Sequence, residues 1–173
     1  MGTVLPLRLA PLLLLVGCST GDLLGPNLAV NLTTVGGCAD VILFGVDDRD
    51  QLMLKVTAPP MVAYAQVTGE PVVAVYSLRP SFSVARVDVH VYQGSRVSDA
   101  TCDDVIENGG PRVDRMWTAV KGSATLTARA EAGRSGATVD VLLEDVVLEA
   151  EDGEQHRLRR LEWHDIQVGW LPG

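Results

Sequence analysis

Three histidines, His90, His156 and His164, are the only imidazoles in the 173-residue sequence. A serine hydrolase would set one of them between a serine and an orienting carboxylate. The strained Gly-x-Ser-x-Gly turn that exposes such a serine is absent. Gly94-Ser95 and Gly122-Ser123 sit in turn-like stretches. His90 and His164 fall inside strand patterns and His156 lies just past a hairpin signal, so all three read as surface or half-buried strand side chains. No Cys-x-x-Cys or His-x-x-x-His spacing occurs, so a zinc site drawing on Cys38, Cys102 and the histidines would need assembly by tertiary structure. Calcium takes hard oxygen ligands from loops. The clusters that offer them are Asp47-Asp48 with Asp50, Asp99 with Asp103-Asp104, and Glu149, Glu151, Asp152 and Glu154. None follows the EF-hand spacing, and acidic turns are ordinary in an acidic β protein. Glycoside hydrolysis needs facing carboxylates in a cleft, usually beside aromatic platforms. Aromatic residues are 5% of the chain, which is poor for sugar stacking, and Trp117, Trp163 and Trp170 read as core or rim residues. No cofactor is expected.

The elements that must position these residues carry a β signal. Leu28 to Thr33 reads as a first edge strand, and Gly36-Gly37 as a break before Cys38. Val41 to Val46 is nearly continuous apolar, as in a strand buried on both faces, and Asp47 to Asp50 reads as a hairpin connection. Leu52, Leu54 and Val56 alternate with Met53, Lys55 and Thr57; Val72 to Leu78 is apolar and β-branched. Ala85, Val87, Val89 and Val91 alternate with Arg86, Asp88, His90 and Tyr92, which a period of two places on opposite faces. Met116 to Val120 and Ala124 to Ala130 read as two strands around a turn at Gly122. Gly133 to Gly136 turns into Val139, Val141 and Leu143, and Asp152-Gly153 is a hairpin signal. The apolar set then shifts from Leu158 to Leu161 and Trp163, which predicts a bulge or break near Arg159-Arg160, before Ile166, Val168 and Trp170. Two segments suit short helices: Met61 to Gln66 after Pro59-Pro60, and Asp99 to Glu107 with Asp99 as cap. The expected fold is all-β, an antiparallel sandwich or flattened barrel of about 8–10 strands with at most two short helices.

The N-terminus carries a different message. One charged residue, Arg8, precedes an apolar run from Leu9 to Val16. At about 8 residues that run is far below the roughly 20 that span a bilayer as a helix. It ends in Leu15-Val16-Gly17-Cys18, which resembles the lipobox of bacterial lipoproteins. The resemblance covers residues 1–18 only. It implies a signal peptide over 1–17, cleavage before Cys18 and lipid on that cysteine. The residues themselves, with loop chemistry in Ser19 to Asp22 and Gly25-Pro26-Asn27, then suggest a tether to about residue 35, and the strand patterns one β domain over 36–173. Ser19, where an aspartate would signal inner-membrane retention, implies the outer membrane by the same resemblance. With Cys18 taken by lipid, Cys38 and Cys102 are left as a pair in an oxidising compartment. Joined, they close a loop of about 65 residues, contributing roughly 4 kcal/mol in the chain-entropy model. The alternatives are free buried thiols or thiolate metal ligands. Joining them would bring Asp40 toward Asp103 and Asp104, as a calcium site or as solvated loops and a helix cap.

The formal charge of −8, more negative still once Arg8 is removed, disfavours nucleic acid and anionic lipid surfaces as partners. Beyond the membrane reached through Cys18, the expected partner is an envelope protein or polysaccharide. The expected role is a non-catalytic binding or structural lipoprotein of the bacterial cell envelope; the alternative is a small extracytoplasmic hydrolase using dispersed histidine and carboxylates.

Overall fold

A computed structural model of the chain describes residues 31–79, 86–102, 109–130 and 136–169. Eight strands and one short α-helix follow in the order β1 (Thr34–Cys38), β2 (Ile42–Val46), β3 (Leu52–Thr57), α1 (Val62–Thr68), β4 (Val72–Ser77), β5 (Asp88–Ser95), β6 (Arg112–Arg129), β7 (Ala137–Ala150) and β8 (Gln155–Val168). A single 3-10 turn, Val97–Ala100, follows β5. All pairings are antiparallel. The sheet runs β1-β2-β3-β5-β6-β7-β8 and curls into a half-barrel, with β4 laid along the second half of β6. The fold is all-β, as the alternation of apolar and polar residues required.

Side chains on the inner face form one large core that includes Leu43, Leu54, Val91, Leu126, Leu143 and Trp163. Each fully buried Val or Leu contributes roughly 1.5–3 kcal/mol, so this core dominates stability. A second cluster on the outer face is smaller: Val46, Met53 and Val97, flanked by Phe44 and Tyr92. It explains why Met53, which alternation assigns to solvent, is fully buried. The 3-10 turn lies over it, held by Asp50, whose carboxylate accepts from the Ser98 N–H and hydroxyl at 2.9 Å each.

Local departures from the sequence reading have identifiable causes. Pairing begins at Thr34, and Gly36-Gly37 lie within β1 rather than breaking the chain. A side chain at Gly37 would meet Val168 Cγ1 at 2.8 Å and the Gln167 carbonyl at 2.9 Å, so the glycine lets β1 approach β8. The Gly169 N–H completes that approach, donating to the Ala39 carbonyl at 2.6 Å. Gly122 is not a turn between two strands: β6 runs unbroken from Arg112 to Arg129 and bends there, with Gly122 at φ 121°. Asp145 on the neighbouring strand is at φ 51°. The parity change at Arg159-Arg160 is real, since Leu158 and Leu161 are both buried. Register with β7 nevertheless holds across it, because β7 changes parity at the same level. The β7–β8 register shift falls later, between Val139 and Val141, where Asp140 faces the bulged His164-Asp165.

The first expected helix exists as α1, ended by Gly69 in the left-handed conformation at φ 69°. Of the second, only the 3-10 turn lies within the described residues up to Cys102. The strand expected over 28–33 lies partly outside the described residues; its last three residues precede β1.

Candidate functional site

Cys38 ends β1 on the outer face of the sheet, where it is 2% exposed. Cys102 reaches it from the segment after the 3-10 turn. The two form a disulfide with a Cα–Cα distance of 5.8 Å, within the range such bonds require. The connection leaving β5 is thereby strapped over β1, β2 and β3. Asp40 lies beside this staple, and its Oδ1 accepts the backbone N–H groups of Met61 and Val62 at 2.9 and 3.0 Å. It is the N-cap of α1, supplied from another part of the chain because Met61 has no capping side chain. Asp103 and Asp104 lie outside the described residues. Asp47 Oδ1 accepts from the Gln51 and Leu52 N–H groups at 2.7 and 2.8 Å and so closes the β2–β3 turn. Among the described residues no group of three or more metal-ligating side chains is gathered.

The histidines separate. His164 sits on the exposed face of β8, 3.4 Å from Glu162 and 3.9 Å from Asp140, with 61% of its side chain in solvent. His156 lies near the Asp152-Gly153 hairpin, with Nε2 2.5 Å from Glu154 Oε1 and its ring edge-on to Trp117 at 5.8 Å. Arg115 stacks over the same indole at 5.0 Å and binds Asp152 and Glu154. The Glu154 N–H, first, and then Arg115 hold the Asp152 carboxyl below its usual value against a smaller opposing effect of desolvation. Trp117 and Trp163 are buried, so neither is a sugar-stacking platform; Trp170 lies outside the described residues.

His90 belongs to a row that crosses the outer face from strand to strand. Lys55 on β3 faces His90 on β5, His90 faces Thr118 on β6, and Thr118 faces Glu149 on β7. His90 Nδ1 lies 3.1 Å from the Thr118 hydroxyl. Partial burial lowers the His90 pKa; Asp88 opposes this, while Lys55 and Arg86 add to it. Burial also lowers the Lys55 pKa and raises that of Tyr92. The row opens at Thr118 into a groove of about 790 Å³ along β6 and β7. Met116, Val120 and Ala150 supply its apolar lining, Thr118 a hydroxyl, and Asp114, Glu149, Glu151 and Asp152 its acidic rim. Met116 is 45% exposed at its edge.

The groove unites one acidic cluster foreseen in the sequence with residues that were not. Met116, Thr118 and Val120 were readable as strand, but their significance depends on the partner face. Trp117 and Ala119 already supply the inward positions, so a strand with apolar residues at its outward positions as well is the signal that was there to find. Lys55 and Tyr92 gave no signal, because their neighbours come from strands distant in sequence.

No family model matches the chain, and no curated protein or solved structure matches it.

Proposed function

We propose that the chain is a lipid-anchored, non-catalytic binding protein of the bacterial cell envelope, tethered through Cys18 and engaging its partner through the β6–β7 groove. The observation that carries the reading is an apolar floor beneath an acidic rim. Among the described lining residues the one cation, Arg115, is bound to Asp152 and Glu154. Such a surface suits a protein segment presenting basic and apolar side chains; charge steers the encounter and apolar contact holds it. A polysaccharide fits less well, since the described tryptophans are covered. Attachment to the outer membrane rests on the lipobox and on Ser19.

The experiment places a photo-crosslinking residue at Met116 in the full chain and irradiates intact cells. An adduct with one envelope protein that Glu149→Lys suppresses supports the reading; no adduct, or one indifferent to that change, overturns it.

One observation favours the hydrolase alternative: the Thr118 hydroxyl and His90 imidazole stand in nucleophile–base contact. A panel of ester, amide and glycoside substrates decides between the two. Turnover lost in both Thr118→Val and His90→Gln makes the protein an enzyme.

A further inference from the structure

Among the described residues, strand β4 is hydrogen-bonded along one side only. Its six residues pair with Ser123 to Ala128 of β6, and among the described residues no strand pairs with its other side. In an antiparallel strand alternate residues turn both N–H and C=O toward the same edge, so about three residues of β4 present unpaired groups there. Natural edges are blunted by charge, proline or a bulge. Val72-Val73-Ala74-Val75-Tyr76-Ser77 contains none of these. Two of its three outward side chains are apolar and uncovered, Val73 at 62% and Val75 at 71%; the third is Ser77.

We infer that this edge is an interface with a second copy of the chain, the two β4 strands pairing antiparallel about a two-fold axis normal to the sheet. Charge selects this occupant and this direction. Glu70 precedes β4 and Arg79 follows it, and neither has an ion pair among the described residues. Directly opposed residues in an antiparallel pair share a face, so the two-fold centres on Ala74 or on Val75. Centred on Ala74, Val73 of each copy packs on Val75 of its mate; centred on Val75, that residue packs on itself. Either alignment brings Glu70 of one copy to within one residue of Arg79 of the other, twice by symmetry. Parallel pairing would instead set Glu70 beside Glu70. The product is a sheet continuous from β6 through both copies of β4 to the second β6, with the Val73 and Val75 side chains of both copies forming one covered patch.

Sedimentation of the full chain in mild detergent tests this, using the parent, Val75→Lys, Glu70→Arg, Arg79→Glu and the double swap. The parent is expected to be dimeric and Val75→Lys monomeric. Each single swap should weaken the dimer by about three- to tenfold, as expected for losing two exposed ion pairs, and the double swap should restore it. A parent that is monomeric up to about 100 μM, the range of weak association, overturns the inference. So does a dimer indifferent to Val75→Lys, or a double swap that fails to restore it. Should Val75→Lys not fold, the swap series alone decides. A monomeric chain that accepts a strand from another protein at β4 also overturns self-pairing.

Discussion

At the scale of single residues, the acidic side chains show how closely a turn imitates a cation site. Asp40, Asp47 and Asp50 all lie in clusters whose composition suits calcium, and each spends carboxylate oxygens on N–H or O–H donors of its own chain. Capping and metal ligation use the same lone pairs, so composition cannot separate them; only the partner's position can. The cysteine pair was legible because, with Cys18 assigned to lipid by the lipobox resemblance, only Cys38 and Cys102 were left to pair, and they do. Replacing both, as Cys38→Ala with Cys102→Ala, should cost roughly 2–4 kcal/mol, read as a lower urea midpoint with β-sheet circular dichroism retained. An unchanged midpoint would mean that the strap holds without its staple. His90 yields a pH prediction. Its folded pKa lies below the ordinary 6.5, so the unfolded chain binds the proton more readily. The stability this confers is complete above 6.5 and is lost as pH falls toward the folded value. Asp140 and Glu162, also depressed, confer stability that is complete above the ordinary carboxylate values of 3.8 and 4.5 and is lost only as pH falls below them. For Asp140, burial opposes the shift and is outweighed by the Asp165 N–H, Arg129 and His164; for Glu162, Arg160 is the main cause. Urea unfolding at pH 7.5 and 5.5, chosen to bracket the imidazole value, should therefore show a loss that His90→Gln reduces. An equal loss in the variant would remove His90 as its source.

At the scale of elements, alternation reported faces reliably and ends poorly. Val139, Val141 and Leu143 point inward as their period demands. Gly122 looked like a turn because glycine followed by serine is turn chemistry, yet in a strand it also marks a bend. The deciding fact, that one neighbour lines both halves of β6, is a long-range pairing with no local trace. The bend makes Gly122 irreplaceable. An alanine there would hold a strained positive φ and bring its Cβ to 2.8 Å from Val146 Cα and 2.9 Å from the Glu144 carbonyl. Both neighbours are backbone atoms that cannot swing aside. Gly122→Ala should therefore cost more than about 2 kcal/mol, the two effects adding. Asp145 at φ 51° belongs to the same bend but is exposed. Asp145→Gly should stay within about 1 kcal/mol of the parent, relief of αL strain offsetting the added freedom of the unfolded chain. Chemical unfolding measures both; equal effects would show that the bend does not depend on Gly122.

At the scale of the whole molecule, the half-barrel is closed on its inner face by one core and crossed on its outer face by a disulfide-pinned strap. The groove lies along β6 and β7 and the β4 edge beside the second half of β6, away from the disulfide. The described chain starts beside Leu32, which packs into the inner core at 6% exposure. Between it and Cys18 run about 13 residues, which can extend at most about 45 Å. A lipid on Cys18 would therefore keep Leu32 within about that distance of the bilayer surface. No helix among the described residues is long and apolar enough to cross a membrane, so in the proposed reading attachment depends on the acyl chains. One chain binds only marginally and two or more bind stably, each buried methylene contributing about 0.8 kcal/mol. Cys18→Ser removes the acceptor for all of them together. The variant should leave the membrane fraction and appear in the soluble fraction, and mass spectrometry of the parent should show an acylated N-terminal Cys18 peptide. A variant that sediments with membranes as the parent does, from a parent lacking that peptide, would end the lipoprotein reading while leaving the groove and the β4 edge to be tested on their own.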